Sequence, residues 1–174
     1  MKLKLTRKAR RARFFGLMAG AVALAAAFIA YPALVKEKTP LIRVYFLKGE
    51  KLFAVERKLA ANEAPLTKAI AELLAGPSQE EQGQGIFTEL PAGTRCLGIK
   101  VKGRIAILNF NRKIGEFNGG AARLRGMIAQ IIYTATEVAG IDRSWIWVEG
   151  QKEVVLGGEG LVLDQPLSRA EFAY

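Results

Sequence analysis

"CLGIKVKGRIAILNF", Cys96 to Phe110, alternates apolar and polar residues on either side of a central glycine, and its reading decides the fold. Period-two alternation marks a strand with one buried face. Lys102-Gly103 supplies a two-residue turn, so the stretch is expected to form a hairpin. With those two residues as the loop, Val101 faces Arg104, Ile99 faces Ala106 and Leu97 faces Leu108. Ile99, Val101, Ala106, Leu108 and Phe110 then share the core face, and Lys100, Ile105, Ile107 and Asn109 share the other. Upstream, "LIRVYFL" (41–47) alternates in the same way, with Ile42, Val44 and Phe46 opposite Arg43 and Tyr45. Lys48-Gly49-Glu50-Lys51 turns it into "LFAVERKL", a second hairpin.

Between the hairpins the period changes. Pro65 opens a helix in which Leu66, Ala69, Ile70, Leu73 and Leu74 form one apolar stripe. Gly76 suits a left-handed position just past the helix end, and Pro77 forbids continuation. The polar run from Gly76 to Gly93 reads as a surface connector, with Glu80 and Glu81 on a solvated face. A second helix is expected from Ala121 to about Val138, striped by Leu124, Met127, Ile128, Ile131, Ala135 and Val138 and ended by Gly140. "SWIWVEG" (144–150) is a strand, and "EVVLGGEGLVL" (153–163) carries short closing strands around Gly157-Gly158. The order ββ-α-ββ-α-β(β) leaves too little chain between strands for a doubly wound parallel sheet. It predicts an α+β domain with two helices on one face of a small mixed or antiparallel sheet.

The net charge of +10 sits at the N-terminus. Residues 1–35 hold seven basic residues and no acid, leaving 19 basic against 16 acidic residues in the rest, a balance of +3. That remainder lacks the basic footprint of a nucleic-acid binder. The basic segment 1–13 precedes Phe14 to Val35, 22 residues without a charge, enough to cross a bilayer at about 1.5 Å per residue. Positive-inside places residues 1–13 in the cytoplasm, a signal anchor at 14–35, a linker at 36–40 and residues 41–174 outside. The competing reading is a cleaved signal peptide with Ala25-Ala26-Ala27 at the cut, leaving a secreted or periplasmic product.

Chemistry is sparsely provided. There is no histidine, so Ser-His-Asp, Cys-His and histidine-based zinc sites are unavailable. Cys96 is the single cysteine and reads as a small buried residue at a strand start. Gly157-Gly158-Glu159-Gly160 has no P-loop lysine after it and reads as a turn. Glu80 and Glu81 are the acids that could pair for glycosidic cleavage, and Asp142 and Asp164 sit beside turns. No catalytic, cofactor-binding or metal residues are expected. On "SWIWVEG", Trp145, Trp147 and Glu149 share one side and Ile146 and Val148 the other. The glutamate marks the tryptophan side as the solvent face, which makes these three residues a candidate partner-binding patch. The alternative is that the closing segment Val154 to Leu163 covers the tryptophans.

Leu73-Leu74-Ala75-Gly76-Pro77, Pro91 with Gly93-Thr94, the hairpin turning at Gly103, Gln130 and Tyr133-Thr134, and Leu156-Gly157-Gly158 with Gly160 occur in one order. In that order they resemble the GerMN domain, the sporulation and spore germination domain of bacterial envelope proteins, over roughly Leu41 to Arg169. The resemblance implies a small module similar to the ring-building units of secretion and sporulation channels. It also implies anchoring outside the cytoplasmic membrane and no enzyme activity. The chain differs from better-known members in carrying one copy of the domain and an apolar span in place of a lipid anchor. The expected function is a membrane-anchored scaffold or assembly subunit of an envelope complex, with other envelope proteins or further copies of itself as partners. A cell-wall glycan-binding module and a peptidoglycan-cleaving hydrolase are the alternatives.

Overall fold

A computed structural model describes residues 40–116, 119–157 and 160–172. The basic segment 1–13, the span 14–35, most of the linker and Gly158 lie outside the described residues. No helix among the described residues is long and apolar enough to cross a membrane.

The first hairpin forms as its alternation dictates. β1 (Leu41–Lys48) pairs antiparallel with β2 (Lys51–Lys58), Val44 opposite Val55 and Phe46 opposite Phe53. Gly49 takes φ 60 in the two-residue turn, as a primed hairpin turn requires. Ile42, Val44 and Phe46 are buried. A two-residue strand, β3 (Ile86–Phe87), adds to the far edge of β1 at Leu47 and Lys48.

The second sheet joins β4 (Cys96–Lys102), β5 (Ile105–Phe110) and β6 (Arg143–Val148). β4 and β5 are antiparallel, but β5 and β6 run parallel. A parallel pair needs a long crossover, supplied by the chain between Phe110 and Arg143 with its helix. The strands therefore make two three-stranded sheets and a separate ribbon, β7 (Val154–Leu156) with β8 (Leu161–Leu163), where the alternation predicted one small sheet. The β4–β5 turn also lies one residue later than expected. Lys102 pairs with Ile105, so Gly103-Arg104 is the loop, with Gly103 at φ 60. Facing is preserved, with Ala106, Leu108 and Phe110 buried. Val101 departs from expectation at 55% exposed, because β4 is the edge strand and overhangs the core.

Two long helices complete the core. α1 (Pro65–Ala75) buries Leu66, Ala69, Ile70 and Leu73. It stops at Gly76, whose amide donates to Leu73 O at 3.2 Å. Gly76 sits at φ 80, ψ 179, an extended positive-φ region open essentially to glycine, instead of the left-handed helical region expected. The connector that follows is more ordered than a surface link. A short helix, α2 (Gln79–Gly83), starts with a capping box in which Ser78 Oγ accepts from Glu81 N and Glu81 Oε2 accepts from Ser78 N. Arg57 of β2 grips the same carboxylate with two bonds of 2.7 Å, so Glu81 is locked to the first sheet and not on a solvated face.

The main helix, α3 (Ala121–Thr136), touches β1 and β6 and is buried nearly all round. It ends at Thr136, two residues before the expected Val138. Its polar residues explain part of the motif order. Thr134 Oγ1 accepts from Tyr45 N at 3.0 Å, where among the described residues β1 has no further strand beside it. Gln130, 0% exposed, accepts from Glu89 N at 2.9 Å and donates to Thr88 Oγ1 at 3.0 Å. One helix face thus terminates the first sheet by standing in for missing strand partners.

Candidate functional site

The parallel register of β5 and β6 sets Ile107 beside Trp145 and Asn109 beside Trp147. Ile146, between the tryptophans in sequence, is 1% exposed and belongs to the main core. Alternation therefore directs Trp145 and Trp147 to the face away from the core, as the sequence predicts, and both rings are half-buried there. Their centroids lie 5.5 Å apart with planes at 85°, an edge-to-face pair. Trp145 Nε1 donates to Lys152 O at 3.2 Å, and the Lys152 ammonium sits 5.4 Å from the Trp147 ring. Trp147 Nε1 is enclosed and makes no hydrogen bond. Exposed Lys100, Lys102 and Arg143 rim the same face.

Glu149 does not join them. It lies beyond the end of β6 at φ 50, the left-handed region, which breaks the alternation. Its carboxylate accepts from Arg112 N at 3.0 Å, at the start of a 3-10 helix (Arg112–Gly115). Asn109 Oδ1 accepts from Gly150 N at 2.8 Å and Phe110 O from Glu149 N at 2.8 Å, so β5 pins this turn. Lys152, before the closing ribbon, meets both tryptophans through its carbonyl and its ammonium. Val154, Leu156 and Leu163 of the ribbon enter the main core instead. There Gly157, φ 71, lies so close to α3 that an added Cβ would meet Leu124 Cδ2 at 2.9 Å.

A second constellation escaped the sequence reading. Glu137, just after α3, accepts from Tyr45 OH (2.9 Å), Arg43 (3.0 Å) and Arg169 (2.7 Å). Arg169 also bonds Thr136 Oγ1 and Tyr133 O, and its guanidinium lies 5.4 and 4.8 Å from the Tyr45 and Tyr133 rings. A cation on the last carbonyls of a helix complements its dipole. Burial pushes the Glu137 carboxyl up, but the bonds from Arg169, Tyr45 and Arg43 outweigh it and hold the group below its usual range. Burial, then the bond to Glu137, pushes the Tyr45 phenol up. The Arg57 bonds likewise hold Glu81 down. Burial pushes the Cys96 thiol up, an inert direction for a half-buried cysteine. Among the described residues no three or more acids and cysteines gather as metal ligands.

A family model described as sporulation and spore germination, Germane, matches residues 43–154, well over half of the 174. The chain belongs to that family. Its structure is similar to the first GerMN domain of the sporulation protein GerM from Bacillus subtilis, at TM-score 0.63 and 21% identity, covering 76% of this chain and 99% of that one. It is similar to the tandem GerMN domains of the same protein at TM-score 0.59 and 25% identity, covering 74% of this chain but 45% of that one. This chain therefore spans a little under half of the tandem structure. A lipoprotein from Clostridium perfringens matches at TM-score 0.56 and 23% identity, covering 79% and 94%. No curated protein sequence matches. The GerMN assignment and the small mixed α+β fold follow from these matches.

Proposed function

We propose that this chain is a membrane-anchored, non-enzymatic assembly subunit of a bacterial envelope complex, working by protein contact through the open face of its second sheet. The observation that carries the proposal is the tryptophan pair: two large aromatics, with Ile107 beside Trp145, on a face turned away from the core. Half-exposed tryptophans ringed by polar residues are the kind of anchor that dominates interface energies. Anchoring rests on the uncharged run Phe14–Val35 behind seven basic residues. A hydrolase reading needs an acid held protonated near neutrality, whereas Glu81 and Glu137 are both shifted the other way. The similar GerM structures are of a sporulation protein.

The test is a photo-crosslinking residue in place of Ile107 in full-length protein in cells, with and without Trp147→Ala. A crosslinked partner that disappears in the variant is expected. Ile146→Ala should cost about 2–5 kcal/mol of stability by opening a core cavity, and Trp147→Ala no more than about 1–2 kcal/mol. Crosslinking that survives Trp147→Ala, or a variant that unfolds, refutes the face. Retention of the domain on purified cell wall, lost with the same substitution, would transfer the face to glycan binding.

A further inference from the structure

The β4 edge of the second sheet is open among the described residues. Among the described residues no strand pairs with the outer side of β4, whereas β6 is bridged by Leu167 and Gln151 on its outer side. Beside that open edge runs a groove of about 710 Å³, lined by Ile70, Ala71 and Leu74 of α1 and by Cys96, Leu97 and Ile99. A bulge between Cys96 and Gly98 disturbs the start of β4, and Leu97 there is 50% exposed. From Gly98 to Lys102 the strand is regular, about 17 Å of unpaired backbone. Its side chains divide by face. Ile99, which lines the groove, and the exposed Val101 share one face, and Lys100 and Lys102 the other. Arg95 stands at the groove's end. None of these three cations has an ion pair among the described residues.

We infer that the β4 edge and the groove beside α1 take an extended, acidic segment of another protein as an added strand. Main-chain bonds to an unpaired edge supply affinity irrespective of sequence, and alternate side chains supply selectivity. In an added strand, every second residue lies over the groove against Ile99, Ile70 and Leu74, and is apolar. The intervening residues neighbour Lys100 and Lys102, where opposite charge is favourable and like charge is not. The same lysines argue against a second copy as occupant. A β4–β4 pairing brings Lys100 and Lys102 against their own kind, and the other long edge, β2, offers them one acid, Glu56, between Lys51 and Lys58, with Arg57 engaged by Glu72 and Glu81. Lysines on an edge strand are a recognised guard against self-pairing, and an acidic strand is what such a guard admits. This site shares Lys100 and Lys102 with the rim of the tryptophan face but does not need the tryptophans themselves.

The test uses full-length chain in detergent and three fluorescein-labelled octapeptides, read by fluorescence anisotropy. One alternates valine with glutamate, one alternates valine with lysine, and one is the first with its backbone N-methylated at alternate residues. Saturable binding of the glutamate peptide, at least tenfold tighter than the lysine peptide and lost on N-methylation, is expected. Ala71→Trp, at an exposed helix position lining the groove, should abolish that binding at unchanged melting temperature. Lys100→Glu with Lys102→Glu should invert the preference, and Trp147→Ala should leave it unchanged. Absence of binding, equal binding of both charged peptides, or binding indifferent to Ala71→Trp overturns the inference. So does a dimer in sedimentation that Ala71→Trp dissolves, since the occupant is then a second copy.

Discussion

Gln130 gives the most direct test of how α3 holds the first sheet. Its amide is fully buried, accepting from Glu89 N at 2.9 Å and donating to Thr88 Oγ1 at 3.0 Å. Gln130→Leu keeps nearly the same volume, so the cavity contribution is small and the loss is polar. The two partners are affected differently. Thr88 is half-exposed and its hydroxyl still accepts from Leu90 N, so it loses little. The Glu89 amide is left without its acceptor in a buried segment, and an orphaned buried donor costs about 1–3 kcal/mol. The expected loss is therefore about 2 kcal/mol, close to the full penalty of one orphan and well below a large-to-small core truncation. Gln130→Glu separates geometry from charge. It retains an acceptor for Glu89 N but buries a carboxylate near Glu89, itself buried against Arg123. It should be the worse of the two despite being the closer isostere. Equilibrium urea unfolding of both variants measures this, an equal slope with a lower midpoint marking a stability change. If Gln130→Leu is neutral within error, or more disruptive than Gln130→Glu, the helix does not hold the 88–89 backbone and the argument fails.

Two further outcomes follow from groups at opposite ends of the polarity scale. Ser144 Oγ is buried without a hydrogen-bond partner, while its backbone pairs normally with Leu167. Ser144→Ala should be neutral or stabilising by up to about 1 kcal/mol, and a clear drop in melting temperature would show that the hydroxyl is bonded. Glu137 has a folded-state pKa held below its ordinary value, so its contribution is fully present above the unfolded carboxylate pKa and is lost as pH falls through the folded one. Glu137→Gln should lower stability at neutral pH and flatten the acid limb of the stability profile below the usual carboxylate range. An acid limb of unchanged steepness would mean that Arg43, Tyr45 and Arg169 do not distinguish the charged carboxylate from the amide.

The periodic parts of the fold are legible because each answers to its own local pattern. The alternation of Ile42, Val44 and Phe46, the stripe of Leu66, Ala69, Ile70 and Leu73, and the facing of Ile146 against Trp145 and Trp147 all follow from side-chain direction along one element. What is not legible depends on residues far apart in the chain. Glu81 looks solvated until Arg57, 24 residues away, is folded against it. Glu149 continues the strand pattern on paper, but its carboxylate is claimed by Arg112 N, 37 residues away. Val101 has the right parity for the core and the wrong position in the sheet, since alternation fixes the face and not the strand order. The parallel pairing of β5 with β6 is hidden for the same reason. The hub around Glu137 draws on β1, the end of α3 and the C-terminal segment, and no sequence window contains all three.

The way the sheet edges are closed narrows where a partner can reach this molecule. On one side of the first sheet, β3 covers only Leu47 and Lys48, and α3 takes over with Thr134 bonding Tyr45 N. On the other side β2 is open but carries Lys51, Arg57 and Lys58, with Arg57 already engaged by Glu72 and Glu81. In the second sheet β6 is closed by exchanged backbone bonds with Leu167 and by the turn to Gln151. These closures use buried polar side chains and long-range bonds, which are costly to leave unsatisfied and therefore hard to lose. Among the described residues β4 has no such closure. It combines an unpaired backbone, an adjoining apolar groove and two lysines on the opposite side, while the tryptophans occupy the open face of the same sheet two strands away. Of the edges of the two three-stranded sheets, the β1 side is met by α3 and the β6 side by exchanged bonds, β2 is open but charged, and β4 alone runs beside an apolar groove, the observation on which the proposed strand addition rests.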